Sequence, residues 1–164
     1  MYHHWLVAHD FEPCANSAAD AAARVALACH ASADDAKVVL AHVVTPPVMP
    51  MPGDVIGGGA NALAAIDIMM STSNERLEEE ARVLRQQHPG LTVETVVLSG
   101  SPVEALLDHA ERVGVDAIAI GSHGRTGLAH AFLGSVAERV VQKAQCPVFV
   151  IKETPSPVLA AAVA

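Results

Sequence analysis

Apolar residues along this chain gather into five short runs separated by longer stretches of helical character. Trp5 to His9 is mostly apolar and ends at Asp10. Val38 to Val44 reads Val-Val-Leu-Ala-His-Val-Val, and Asp116 to Ile120 likewise shows no polar alternation. Such runs suit strands covered on both faces. Leu91 to Leu98 sets Thr92 and Glu94 around Val93, which predicts a strand with one wet face, as at a sheet edge. Cys146 to Ile151 is the last predicted strand.

The intervening segments carry helix signals. Ala15 to His30 is alanine-rich. Asn61 to His88 is helical in its second half, where Leu77, Ala81 and Leu84 share a face and Glu78–Arg82 forms an i,i+4 pair. Pro89-Gly90 ends it. Ser101-Pro102-Val103-Glu104 is a capping-box start, and the helix it opens runs to Val113, where Gly114 stops it. Ser135 to Ala144 is the final helical pattern. Residues 45–60 hold four of the ten prolines and four of the eleven glycines, and read as a long loop.

Strand and helix alternate as β-α-β-α-β-α-β-α-β, which predicts an α/β fold with a doubly wound parallel sheet and right-handed crossovers. Ligands of such sheets bind beyond the carboxyl ends of the strands, at the switch point. With strand order 3-2-1-4-5, Asp10 and Gly121 flank that point.

At 164 residues the chain fits one domain. The Pro- and Ala-rich segment 153–164 reads as a mobile tail behind a domain of residues 1–152. Half of the residues are apolar, 51%, mainly alanine and valine, with few aromatics. The formal net charge of −8 disfavours nucleic acid as a partner. No apolar run reaches transmembrane length, since glycines, Asn61 and Asp67 break the stretch from Val55 to Met70. The N-terminus lacks the pattern of a signal peptide, so no membrane partner and a cytoplasmic location are expected. Cys14, Cys29 and Cys146 make neither a C-x-x-C nor an even set, which fits a reducing compartment.

The stretch Gly121-Ser122-His123-Gly124, followed by Gly134-Ser135, carries the candidate chemistry. It leads from a strand, through a glycine loop, to a helix start. Open N–H groups and the helix dipole at such a start attract a phosphate. A plain turn with Ser135 and Glu138 as a capping box is the alternative. Asp10 suits a ribose or adenine contact, or an N-cap. The motif is neither a Walker A loop nor G-x-G-x-x-G. His42 reads as a satisfied core or rim histidine, and His9 sits where it could tune the site. No paired carboxylates, Ser/His/Asp set or metal cluster emerges.

In order, Asp10 after strand one, Leu40-Ala41-His42-Val43-Val44, Gly100-Ser101-Pro102, Gly121-x2-Gly124-x9-Gly134-Ser135 and Cys146-Pro-Val-Phe-Val-Ile resemble the universal stress protein family, in its ATP-binding branch. The resemblance runs to about Lys152. It implies a five-stranded sheet of order 3-2-1-4-5 in a three-layer, Rossmann-like sandwich of the adenine nucleotide alpha hydrolase type. It implies ATP or another adenine nucleotide as ligand, with Mg or Mn as an option. Asp10 and the Val43 backbone would face adenine and ribose, and Ile120 and Gly121 would lie against the nucleoside. His123 and Gly124 would line the phosphate loop, and Gly134, Ser135 and Val136 would hold the phosphates. Family members usually carry Gly-Ser or Phe-Ser after the first-strand Asp. Here Phe11 is followed by Glu12, and Ala8 replaces a frequent proline.

Val148 to Ile151 is apolar on both faces yet falls at a sheet edge. Pairing across a two-fold axis would cover it, and the resemblance implies the same homodimer. The expected function is regulatory nucleotide binding in a stress response without catalysis. A slow metal-dependent ATP hydrolase and a nucleotide-free dimeric scaffold are the alternatives.

Overall fold

The computed structural model describes residues 2–29, 36–46, 58–122 and 133–152, the side chains of 58–63 excepted. Its elements run β1 (His4–Ala8), α1 (Pro13–Ala28), β2 (Lys37–Val44), α2 (Gly58–Gln87), β3 (Thr92–Ser99), α3 (Pro102–Val113), β4 (Ala117–Gly121), α4 (Ser135–Lys143) and β5 (Val148–Ile151). The five strands form one sheet in the order β3-β2-β1-β4-β5, and each pairing is parallel. This is the predicted doubly wound topology.

Strand alternation divides the interior into two cores. Trp5 and Val7 of β1, Val38 and Leu40 of β2, and Ala117 and Ala119 of β4 pack with α1 and α2. Leu6, Val39, Ala41, Ile118 and Ile120 point the other way, onto α3 and α4. Side chains that alternate across a strand must be apolar at every position when helices cover both faces. That is why these strands read as unbroken apolar runs. The edge strand β3 behaves differently: Thr92 and Glu94 are exposed while Val93 is buried.

Alanine dominates the inward face of α1, with Ala18, Ala19, Ala22, Ala23 and Ala26 all buried. Short side chains let the helix axis come close to the sheet, opposite the small residues Ala117 and Ala119 of β4. On α2, Leu77, Ala81 and Leu84 are buried as their spacing predicts. Helix α3 ends as expected: Gly114 adopts φ +65°, and its N–H reaches the carbonyls of Ala110 and Glu111.

Several expectations need correction. Helix α2 is continuous from Gly58, so residues 58–60 belong to it and not to the predicted 45–60 loop. Residues 47–57 lie outside the described residues, as does the predicted tail 153–164. Glu78 does not pair with Arg82. It turns towards β3, where it meets the Thr95 hydroxyl and Arg85, 3.3 Å away. Arg82 pairs instead with Glu79 at 2.6 Å. Ser101 takes the N-cap position of α3, but its hydroxyl bonds the Glu104 carboxylate, not a backbone N–H. Strand β5 begins at Val148, two residues late, because Pro147 has no N–H to give the ladder.

Candidate functional site

Beyond the carboxyl ends of β1, β2 and β4 lies a cavity of about 640 Å³. Its wall includes Asp10, Val43, Ile120, Gly121, Gly134, Ser135 and Val136, seven of the nine residues expected there. His123 and Gly124 lie outside the described residues. The cavity straddles the sheet edge. Residues Ile68, Met69, Thr72, Ser73 and Arg76 of α2 wall it from one layer, and Pro102, Leu106 and the first turn of α4 from the other.

The β1–α1 turn is built by side chains bonding its own backbone. His9 continues the β1 ladder, donating its N–H to Ala41 C=O at 2.8 Å. Asp10 Oδ1 accepts the Glu12 N–H at 3.1 Å, a turn that brings the chain into α1. The N-cap of α1 is therefore Glu12, not Asp10. Glu12 is absent from the described cavity wall, whereas Ala8 is part of it. Between Asp10 and Glu12, Phe11 adopts φ +68°, a left-handed conformation that costs a non-glycine residue about 1–2 kcal/mol. Its N–H donates to His9 Nδ1 at 3.3 Å.

Two buried histidines brace this turn. His9 Nε2 lies 2.8 Å from Asn16 Oδ1. Since Nδ1 accepts from Phe11, Nε2 carries the proton and the ring is neutral. Burial holds the His9 imidazole below its ordinary value, a direction that agrees with the tautomer. His42 donates from Nδ1 to His9 C=O at 2.7 Å, the satisfied rim histidine expected from its neighbours. The Phe11 ring lies 4.4 Å from His42 and 5.4 Å from His9, and the Arg76 guanidinium sits over it at 4.1 Å.

A stability prediction follows from His9. A folded-state value below 6.5 means that the neutral ring contributes stability above pH 6.5. As pH falls, the unfolded chain takes up the proton first, and that contribution is lost. His4 and His109 are shifted the same way, also mainly by burial. Thermal unfolding should therefore occur at lower temperature at about pH 5.5 than at about pH 7.5. His9→Gln should flatten this dependence without abolishing it. An unchanged slope would detach His9 from the effect.

On the β4 side, Gly121 does not take a positive φ. A Cβ placed there would lie 2.8 Å from Cys14 Cβ and 3.1 Å from the Cys14 backbone carbon. Gly121 is thus a packing glycine that admits the first turn of α1. Gly134, at φ −61°, is the N-cap of α4, so Ser135 is the first helical residue and makes no side-chain cap bond. This corrects the capping-box alternative at Ser135. Gly134 donates its N–H to Ser122 C=O at 2.8 Å, tying together the two ends of the segment between β4 and α4. The first bond inside α4 runs from Glu138 N–H to Gly134 C=O. The N–H groups of Ser135, Val136 and Ala137 are those a helix start leaves without an intrahelical partner, none has an acceptor among the described residues, and these three residues line the cavity.

Thr72, Ser73 and Arg76 escaped the sequence reading because the apolar spacing that marks α2 begins only at Leu77. The signal was the spacing 68, 69, 72, 73, 76, one helical stripe of mixed polarity. Among the described residues, no group of three or more His, Cys, Asp or Glu could hold a metal ion. No described helix is long and apolar enough to cross a membrane.

Comparison with known proteins places this architecture. The model of the universal stress protein family matches residues 1–152. Universal stress protein MJ0531 of Methanocaldococcus jannaschii is 33% identical over 119 residues, 73% of this chain but only 66% of that protein. The structure of MJ0577, a universal stress protein of the same organism, superposes with a TM-score of 0.77 at 28% identity, covering 95% of this chain and 99% of that one. A universal stress protein solved in complex with cAMP shares the fold at 22% identity and a TM-score of 0.59, covering 93% of this chain and 98% of its own. One from Archaeoglobus fulgidus in complex with dAMP does so at 23% and 0.56, covering 92% and 98%. With the family model spanning nearly the whole chain and the predicted strand order in place, this chain belongs to the universal stress protein family.

Proposed function

We propose that the cavity binds an adenine nucleotide, with ATP as the intended ligand, and that occupancy serves a regulatory role in a stress response. The observation that carries this reading is the meeting of Asp10, Val43 and the open amides of Ser135 and Val136 in one cavity. Asp10 retains a carboxylate oxygen for a ribose hydroxyl or an adenine amino group after Oδ1 has accepted from Glu12. The helix start offers backbone donors and its dipole to a phosphate in a chain of net charge −8. Gly134 shapes that wall, while its own N–H stays with Ser122. A cavity of about 640 Å³ falls within the usual range for small-ligand sites. The cAMP and dAMP complexes of two proteins with this fold support an adenine nucleotide as the class. A divalent ion would come with the phosphates and screen them from Asp10.

Binding is favoured over hydrolysis by how the candidate bases are employed. Of the two candidates, Asp10 spends Oδ1 on the Glu12 N–H of its own turn, and His123 lies outside the described residues. Mass analysis of small molecules released from the purified, denatured protein tests the ligand class. An adenine nucleotide is the expected result. A protein that releases none, and gains no thermal stability from millimolar ATP, would sink the reading.

We also propose that the chain forms a homodimer through β5. Val148 to Ile151 is only half-buried along an open sheet edge. Light scattering at micromolar concentration should return the mass of two chains, and glutamate at Val150 should reduce it to one.

A further inference from the structure

Arg76 is the single Arg or Lys in the described cavity wall, and Asp10 its single carboxylate. Arg76 reaches the wall from α2, in the sheet layer opposite α4. Its guanidinium lies over the Phe11 ring at 4.1 Å. Stacking on an aromatic face leaves the edge of the planar cation, with its N–H donors, free to point elsewhere. Among the described residues, the arginines of the same helix behave differently. Arg82 is held by Glu79, and Arg85 by Glu78 and the Val93 carbonyl. Arg76 has no carboxylate within ion-pair distance among the described residues.

The platform beneath Arg76 is costly. Phe11 keeps a left-handed backbone, braced by the His9 Nδ1 acceptor, and its ring also packs on His42. One turn before Arg76 on the same stripe, the hydroxyl-bearing residues Thr72 and Ser73 line the wall. A guanidinium with two neutral donors beside it is suited to an oxyanion, which arginine can engage through two parallel bonds.

We infer that Arg76, with Thr72 and Ser73, is a specificity-determining element that pairs with an anionic group of the occupant, so that the cavity selects phosphorylated nucleotides over bare nucleosides. The inference rests on the nucleotide reading above. It adds a charged contact from α2 to the neutral amides of α4, and it gives a net acidic protein a local source of attraction for its ligand.

The test is calorimetric titration of the full chain with adenosine, AMP and ATP, for wild type, Arg76→Met and Arg76→Lys. Arg76→Met keeps the aliphatic stem and removes the charge. It should weaken AMP and ATP by about tenfold or more while changing adenosine by less than about twofold. Arg76→Lys should retain part of the preference. The dependence of AMP affinity on salt should be steeper in wild type than in Arg76→Met. Equal weakening of adenosine and AMP would show that Arg76 merely supports Phe11, and would overturn the inference, as would unchanged binding of all three. Wild-type protein that binds none of the three would instead remove the nucleotide reading, and this inference with it. Thermal unfolding of each variant separates loss of binding from loss of fold.

Discussion

Gly121→Val should lower stability by about 1–3 kcal/mol and close the cavity on its β4 side. The branched side chain would drive into Cys14, whose Cβ and backbone carbon already stand 2.8 and 3.1 Å from an added Cβ. Backbone cannot yield as a flexible side chain can. Relief would require the first turn of α1 to move, and the β1–α1 turn that holds Asp10 and Phe11 with it. Urea unfolding reads the stability, and ATP titration reads the cavity. Gly121→Ala should show the same effects more weakly. Cys14→Ala should not rescue it, because alanine keeps the offending Cβ, whereas Cys14→Gly should recover part of the loss. Full stability and affinity in Gly121→Val would mean that Cys14 and β4 have more slack than the packing indicates.

Trp5→Ala should cost more, about 3–5 kcal/mol. Trp5 is only 1% exposed and is the largest side chain of the core beneath α1 and α2. Its indole N–H donates to Tyr2 C=O at 2.9 Å, and its ring lies 4.8 Å from Phe149 on the edge strand β5. Trp5→Phe should cost less, since it keeps much of the apolar volume and gives up the bond to Tyr2. Because Phe149 rests on this ring, the alanine variant should also loosen β5. Denaturant unfolding gives the first effect, and hydrogen exchange at the β5 amides gives the second. A loss below 1 kcal/mol in Trp5→Ala would mean that the surrounding side chains collapse into the space.

The sheet was legible because its central strands carry one signal throughout: apolar side chains on both faces, bounded by turn residues. β1, β2 and β4 therefore appeared within a residue of their observed ends. The last two helices were legible from their starts and stops. Helix α2 was not. Its first half begins Gly-Gly and contains polar residues on the cavity stripe, while Ile68 is exposed, so no single apolar face marks it. A helix that lines a cavity need not bury that side in a core, and periodicity then has little to report. Arg76 stands just before the apolar spacing begins at Leu77.

The glycine motif was found for a reason that the structure divides in two. Gly134 does sit at the opening of a helix, but its amide is spent on Ser122, and the donors left over belong to the residues after it. Gly121 is required by Cys14, a contact between residues over a hundred positions apart that local pattern does not reveal. Phe11 is similar. Its left-handed backbone is one that glycine would adopt without strain. What keeps phenylalanine there is contact with His42 and Arg76, from β2 and α2, and that too is tertiary information.

The cavity has one wall on each side of the sheet, and the two cores meet only through the strands between them. An occupant gripping α2 and α4 together would work as a staple across the open end of the sandwich. Ile68 and Met69 belong to the cavity wall and are 66% and 43% exposed, so an occupant would cover apolar surface that now stands open on α2. Filling the cavity therefore redraws the outline of the protein along α2, and a partner touching that outline could tell a loaded chain from an empty one without meeting the ligand.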